Sequence, residues 1–279
     1  MTSNGLREKA ARFRRLHEEG RLLLPNAWDA ASARVFELAG FPAVATTSAG
    51  IAWARGLPDG ERIDREAMQR EIASIARAVS CPVTADIEAG YGSSPEDVAA
   101  TIDAVIDAGA VGVNLEDSRP APGEAPLFEV TEQSARLQAA RAAADRRGVP
   151  VLINARTDTF LLSLGANLDE RIAMTIERGR AYLAAGGDVI FVPGLGDPAI
   201  VEQLVRGIGG PVSLLLRPGG TPPAALFDAG ACRISLGSSA MLATLSVLRD
   251  LAQDLIGQGV YPARGSRPFT YADAQELFP

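Results

Sequence analysis

Short apolar runs alternate with longer, alanine-rich amphipathic segments along nearly the whole chain. This alternation is typical of repeated strand–helix units whose strands form a parallel sheet. Eight apolar runs predict strands, at residues 21–25, 42–46, 82–86, 111–115, 149–154, 188–192, 211–216 and 231–236. Eight amphipathic segments predict the helices that follow them, at residues 29–39, 64–79, 95–108, 131–147, 168–185, 198–208, 222–229 and 239–256.

The number of these units indicates the fold class. Eight of them within 279 residues favour an α/β fold of the closed (β/α)8 TIM-barrel type over an open doubly wound sheet. Four predicted helices run into a glycine, near Gly40, Gly109, Gly186 and Gly230, where a positive φ would end the helix. No linker divides the chain, so we predict one domain over residues 1–279. An N-terminal helix precedes the barrel, and a helical tail at 257–279 packs on a neighbour or on its own barrel.

The charge balance and the rarity of cysteine and histidine exclude several classes of function. Lys plus Arg number 27 and Asp plus Glu number 34, so the net charge of −7 repels nucleic acids and anionic lipid. Cys81 and Cys232 lie far apart without a CxxC pattern, which excludes a disulfide framework and a structural zinc site. His17 is the only histidine, and we expect it to face solvent, so catalysis by histidine is excluded. No segment has the roughly 18 apolar residues of a membrane span, and we expect an unprocessed cytoplasmic protein.

Acidic and basic residues gather where the predicted strands end. Asp86 and Glu88 follow the third strand, Glu116 the fourth and Arg156 the fifth, and Asp59 lies in the loop after the second. Carboxyl strand ends share one rim of a barrel, where several carboxylates repel one another unless a cation neutralises them. Oxygen ligands without His or Cys favour Mg²⁺ or Mn²⁺. With Arg156 as an anchor for a carboxylate or a developing oxyanion, this pattern indicates a site that stabilises an enolate.

Some of these polar residues also have simpler interpretations. Asp117 and Asp158 are expected to cap helices or to accept loop hydrogen bonds, and Arg156 could be a salt-bridge partner on the rim. Glycine-rich turns at residues 217–220 and 236–239 lie where many barrels bind phosphate. We favour Ser238 or Ser239 as the N-cap of the last helix instead.

Four motifs together carry a family resemblance: SAGIAWARGLPDG, ADIEAGYG, VGVNLEDS and NARTDTF, in this order at successive strand ends. Over residues 23–237 the chain resembles the isocitrate lyase and phosphoenolpyruvate mutase superfamily. The resemblance implies a (β/α)8 barrel that binds Mg²⁺ together with a 2-oxo acid or its enolate. It also implies a homo-oligomer, a dimer or a tetramer, in which dimers exchange their eighth helix.

The resemblance also assigns roles at the strand ends. Asp86 would bind the metal directly and contact the substrate, while Asp59, Glu88 and Glu116 would hold waters bound to the metal. Arg156 would bind the substrate carboxylate or oxyanion, and it is a predicted catalytic residue together with Glu116 and Asp59. The other end of the oxo acid would be held by Thr47, Ser48 and Ala49.

One departure from the superfamily narrows the expected reaction. Lyases of this group carry a Lys-(Lys/Arg)-Cys-Gly-His loop after the glutamate of strand four, and this chain has DSRPAPGEAP at residues 117–126. Their acidic residue on strand six is also missing, since the segment 191–194 is FVPG. We therefore predict a Mg²⁺-dependent carbon–carbon lyase for a small 2-oxo or 2-hydroxy dicarboxylate, with decarboxylation of an oxaloacetate-like acid ahead of aldol cleavage. The alternatives are phosphoenolpyruvate mutase or phosphonopyruvate hydrolase chemistry, and a 2-oxo acid binding protein without turnover.

Overall fold

The computed structural model describes residues 3–119, 125–262, 265 and 268–278. Nine parallel strand segments form one sheet in the order β1-β9-β8-β7-β6-β5-β4-β3-β2, and helices surround it. The two ends of this order, β1 and β2, are consecutive in the chain, so the sheet is a nearly closed barrel. The predicted TIM-type fold is confirmed. The strands are β1 (Leu22–Leu24), β2 (Asn26–Ala27), β3 (Val44–Thr46), β4 (Val83–Asp86), β5 (Gly112–Glu116), β6 (Leu152–Arg156), β7 (Val189–Val192), β8 (Val212–Leu215) and β9 (Ala231–Ser235).

The first predicted strand, residues 21–25, proves to be two short segments. Pro25 separates β1 from β2, because proline has no N–H to donate to a neighbouring strand. β1 pairs with β9, and β2 pairs with β3, where Asn26 lies opposite Ala45. The Pro25 carbonyl still accepts a hydrogen bond from Ala45 N at 2.8 Å. The interrupted strand therefore joins the two ends of the sheet.

All eight predicted barrel helices are present, with bounds that differ by at most two residues. At the predicted helix ends Gly40, Gly109, Gly186 and Gly230 all have a positive φ, between 91° and 105°. The helix at residues 48–54 was not predicted. The helices are α1 (Ser3–Glu18), α2 (Ala30–Leu38), α3 (Ser48–Ala54), α4 (Arg65–Ala78), α5 (Pro95–Ala108), α6 (Val130–Arg147), α7 (Leu168–Ala184), α8 (Pro198–Ile208), α9 (Pro223–Asp228), α10 (Ser239–Gln258) and α11 (Tyr271–Glu276).

Helix α1 packs against the amino end of the barrel. Phe13 is fully buried, and Arg14 donates to Asp188 at 2.9 Å, just before β7. The expectation that His17 faces solvent is wrong: its side chain is buried, and its Nδ1 donates to the Phe13 carbonyl at 2.8 Å. The expectation rested on the many charged residues of α1, but one face of this helix packs on the barrel. Burial and, to a lesser extent, the nearby Arg233 charge lower the pKa of His17 to about 4.

The C-terminal tail contacts its own barrel near its end, while most of its described residues are exposed. Leu277 is buried, and its carbonyl accepts a hydrogen bond from Arg34 Nε of α2 at 2.7 Å. Residues 263–264, 266–267 and 279 of the predicted tail lie outside the described residues. Across the described ranges, no helix is both long and apolar enough to cross a membrane.

Candidate active site

A cavity of about 210 Å³ opens at the carboxyl end of the barrel. Its lining includes six of the eight predicted site residues, namely Thr47, Ser48, Ala49, Asp59, Asp86 and Arg156. Strand register explains this grouping, because Asp86 pairs with Asn114 on β5, and Glu116 two residues later pairs with Arg156 on β6. A larger cleft of about 380 Å³ lies at the amino end, near Leu16 and Phe41, and contains none of the predicted site residues.

Asp86 is the last residue of β4, and only one of its carboxylate oxygens accepts hydrogen bonds from described residues. Oδ2 accepts hydrogen bonds from the Ser48 hydroxyl at 3.0 Å and from Ser48 N at 3.2 Å. Oδ1 is buried and accepts no hydrogen bond from any residue that the structure describes. The Ser48 hydroxyl also lies 3.4 Å from Asp59 Oδ1, so one serine links two carboxylates. A buried acceptor without a donor is costly unless a cation or another ligand meets it.

Glu88 lies beside the cavity but is not part of its lining. Glu88 does not continue the extended backbone of β4 that ends at Asp86, because it has a left-handed φ of 49°. Its Oε2 accepts from Glu61 N at 2.6 Å, and Tyr91 N donates to Glu61 Oε1 at 2.9 Å. Burial and, to a lesser extent, the nearby Asp86 carboxylate raise the pKa of Glu88 to about 8.

Arg156 is held in place by two carboxylates. Its Nη1 lies 2.6 Å from Glu116 Oε2, while Nε and Nη2 donate to the two oxygens of Asp158 at 2.7 and 2.8 Å. Burial opposes the guanidinium charge, yet Glu116 and Asp158 hold the pKa of Arg156 above its ordinary value. Glu116 is not among the residues that line the cavity, and its side chain forms this ion pair instead. The interpretation of Arg156 as a salt-bridge partner is therefore confirmed, and the cavity still reaches its guanidinium.

Asp117 and Asp158 do not cap helices; both accept hydrogen bonds in the loops after their strands. Asp117 is fully buried, and its Oδ2 accepts from Arg178 at 3.1 Å and from the Tyr182 hydroxyl at 2.8 Å. Its Oδ1 accepts from Asp158 N at 3.0 Å. The ends of β5 and β6 are thus fixed to helix α7. No sequence signal marked Arg178 or Tyr182, since both look like ordinary helical residues.

The loop after β9 shapes another wall of the cavity. Asn26 Oδ1 accepts from Leu236 N at 2.9 Å and from Gly237 N at 2.8 Å, so these two N–H groups are already used inside the protein. These two N–H groups are therefore not available to bind a phosphate, the alternative considered for this turn. Ser238 is the N-cap of α10, as predicted, although its side chain makes no capping hydrogen bond.

The residues that form the floor and the apolar walls of the cavity were not predicted from the sequence. Asn114 lies on the floor, and Leu161, Phe191 and Leu215 line the sides. These residues resemble core positions, because they lie on strands or beside short apolar runs. Residues 120–124 of the loop that distinguishes this chain from the lyases lie outside the described residues.

The cysteines cannot serve this site. Cys81 precedes β4 and Cys232 is the second residue of β9, so both lie toward the amino end of the barrel. Burial raises the pKa of each thiol to about 11. The expectation that neither replaces the missing loop cysteine agrees with these positions.

The donor set fits one divalent cation with few direct protein ligands. Burial raises the pKa of Asp59, and the repulsion from Asp86 raises it further, as expected for carboxylates that lack a neutralising charge. Among the residues that the structure describes, no three His, Cys, Asp or Glu side chains are grouped to bind one ion together. The open Oδ1 of Asp86 is therefore the direct ligand that this geometry offers.

Comparison with known proteins places the chain in a family. A family model for phosphoenolpyruvate phosphomutase matches residues 13–256. An uncharacterized protein of Mycobacterium tuberculosis is 37% identical over 227 residues, which cover 81% of each chain. An oxaloacetate decarboxylase of Rhodopseudomonas palustris is 30% identical over 263 residues, 88% of this chain and 86% of the relative. The crystal structure of an oxaloacetate acetylhydrolase with its product oxalate superposes with a TM-score of 0.85 at 26% identity, covering 96% and 93% of the two chains.

The family model and the structural superposition agree with the resemblance in the four strand-end motifs. The family model spans the barrel from α1 to α10, and the superposition spans nearly the full length of both chains. This chain belongs to the isocitrate lyase/phosphoenolpyruvate mutase superfamily of lyases and mutases.

Proposed function

We propose that this protein is a Mg²⁺-dependent carbon–carbon lyase that decarboxylates a small 2-oxo dicarboxylate of the oxaloacetate type. The observation that carries this proposal is the arrangement of Asp86 and Arg156 in one cavity, the first with an unpartnered oxygen and the second with a fixed positive charge. Cleavage of a bond next to a 2-oxo group leaves an enolate, whose negative charge needs stabilisation. Bound through Asp86, Mg²⁺ would supply Lewis-acid stabilisation of that charge.

Arg156 has the donors to bind the acid. Of its five N–H groups, three are directed at Glu116 and Asp158, which leaves two for a ligand. The two carboxylates fix the plane of the guanidinium before the ligand arrives, so little orientation is lost on binding. A fixed fork of this kind suits a carboxylate or an enolate oxygen.

The cavity sets limits on substrate size and reaction type. At about 210 Å³ it is smaller than the roughly 300–1,000 Å³ usual for drug-sized ligands, which favours a small acid. The described residues that line it include no His or Cys. Aldol-type cleavage requires a base to remove a hydroxyl proton, whereas loss of CO₂ requires none and water can protonate the enolate. The oxaloacetate decarboxylase among the relatives supports this choice.

The first experiment measures the Mg²⁺-dependent conversion of oxaloacetate to pyruvate, with the rate of Mg²⁺ alone subtracted. We expect wild-type turnover well above that background and its loss in Asp86→Ala, while Asp145→Ala, which removes an exposed carboxylate from α6, retains it. Phosphonopyruvate is assayed in parallel. Equal oxaloacetate turnover in wild type and Asp86→Ala would contradict the proposal, and turnover of phosphonopyruvate alone would favour carbon–phosphorus chemistry.

The surface of α10 supports a homo-oligomer as the working form. Six large apolar side chains along this helix are exposed at 40% or more of their area: Leu242, Leu245, Val247, Leu248, Leu255 and Ile256. A second copy of this chain is the partner that we propose for this face, as an exchange of the eighth barrel helix would require. Both cysteines are free, which suits a reducing compartment such as the cytoplasm.

A further inference from the structure

The interior of the barrel below the cavity is polar, where TIM barrels usually carry bulky branched side chains. Asn114 on β5, Asn154 on β6 and Arg233 on β9 are all buried, and Arg233 is 0% exposed. Arg233 Nη2 donates to Asn114 Oδ1 at 3.1 Å. Three strands separate β9 from β5 in the sheet, so this hydrogen bond crosses the inside of the barrel.

This network fixes the orientation of the Asn114 amide. Arginine has only donors, so the Asn114 atom that faces Arg233 must be the oxygen. Asn154 Nδ2 donates to the same oxygen at 2.8 Å. With Oδ1 occupied by two donors, the Asn114 amide cannot rotate by 180° without placing its NH₂ group against two other donors.

The fixed amide leaves Asn114 Nδ2 directed away from Arg233. Asn114 lines the floor of the cavity, and it pairs in register with Asp86. No described residue accepts a hydrogen bond from Nδ2. The two paired residues thus bring to one cavity an N–H donor that has no acceptor among the described residues and a carboxylate oxygen that has no donor among them. A ligand oxygen that is bound to a cation at Asp86 would meet both requirements.

Arg233 lies in an unusual environment for a charged side chain. It carries a buried charge, and its Nε and Nη1 have no hydrogen-bond partner within the described ranges. No carboxylate of the described residues forms an ion pair with it. A buried cation without a counterion destabilises a fold, so its presence suggests a function that offsets this effect.

We propose that Asn114 Nδ2 donates a hydrogen bond to an oxygen of the bound 2-oxo acid, and that Arg233 is a positioning residue that orients this amide without touching the ligand. The proposal rests on the proposed function, since it takes the ligand to be a small 2-oxo acid. It adds a specificity element to the floor of the site. An acid with an oxygen at that position would be bound in preference to one with a methyl group there, which would leave the amide unsatisfied.

The test is calorimetric binding of oxalate, a planar dianion that resembles the enolate, in the presence of Mg²⁺. The series comprises wild type, Asn114→Ala, Arg233→Met, the double variant, and Ser213→Ala as a control. Ser213 is buried in the same interior and contacts Asn154, but it does not contact Asn114. Loss of a hydrogen bond to an anion predicts weaker oxalate binding by about 10- to 100-fold in Asn114→Ala. Arg233→Met should weaken binding in the wild-type background and cause no further loss in the Asn114→Ala background.

The outcomes separate this inference from the proposed function. If wild type does not bind oxalate with Mg²⁺, the proposed function fails. If wild type binds and Asn114→Ala binds equally well, the donor role of Asn114 is wrong; if Arg233→Met causes the same loss in both backgrounds, its positioning role is wrong. Asn114→Asp keeps the shape of the side chain and replaces the donor with an acceptor, so it tests the same hydrogen bond in a variant that leaves no cavity. Unchanged oxalate affinity in folded Asn114→Asp would overturn the proposal.

Discussion

At the scale of single residues, the fork of Arg156 predicts that arginine cannot be replaced by lysine. Lysine keeps the charge but cannot direct separate N–H groups at Glu116, Asp158 and the ligand. We expect Arg156→Lys to reduce kcat for oxaloacetate by about 10²- to 10³-fold, the range seen when one stabilising donor of a developing oxyanion is removed. Arg141→Lys provides a matched control, because Arg141 pairs with Asp188 at the amino end of the barrel. A kcat within threefold of wild type in Arg156→Lys would contradict this role.

Residue positions on the rim were predictable where they follow from strand ends, and less so elsewhere. Asp86 and Arg156 lie at the ends of parallel strands, which must meet at one edge of a barrel. Asn114 lies inside a strand, where sequence alone does not separate a cavity floor from a core position. Glu88, in contrast, was predicted as a site residue but does not line the cavity, since its left-handed backbone turns the side chain toward Glu61. That conformation depends on contacts from a distant loop.

At the scale of elements, the contact of α1 with the barrel predicts a stability that depends on pH. His17 is buried in its neutral form, and its pKa falls from 6.5 to about 4 in the folded state. Its contribution is therefore complete above the unfolded pKa of 6.5 and is lost as the pH falls toward 4. At about 1.4 kcal/mol per pKa unit, the loss is on the order of 3 kcal/mol. Denaturant unfolding of wild type and His17→Gln between pH 7 and pH 4 measures it, because glutamine does not titrate.

We expect the free energy of unfolding of wild type to fall more steeply with decreasing pH than that of His17→Gln. If the free energies of unfolding of the two proteins differ by the same amount at pH 7 and at pH 4, His17 is not buried in its neutral form.

Element boundaries otherwise followed the hydrophobic periodicity closely. The exceptions have local causes: Pro25 divides the first strand, and Thr47 caps the short helix α3, with Thr47 Oγ1 accepting from Gly50 N at 3.3 Å. Seven residues are too few for helical periodicity to be recognised.

At the scale of the whole molecule, the count of strand–helix units was sufficient to predict the barrel. Closure of the sheet follows from eight equal repeats, because each unit buries its strand against the next. The position of the site follows as well, since all carboxyl strand ends lie on one face. The repeats do not predict the surface against which the last helix packs. Its apolar residues look the same whether they cover their own barrel or that of a second copy.

The exposed face of α10 therefore gives the prediction for the assembled protein. Leu242, Leu245 and Leu248 recur at three-residue spacing on one side of the helix, and all three are exposed in the single chain. Burial of one such leucine contributes about 1.5–3 kcal/mol, and symmetry repeats the contact in each copy of a dimer. We expect wild type to sediment as a dimer or a tetramer and Leu248→Glu to shift toward the monomer. Leu168→Glu is the matched control, because Leu168 is an exposed leucine at the start of α7, where an acidic residue suits the helix terminus. A monomeric wild type, or equal sedimentation of both variants, would show that α10 is not the contact between subunits.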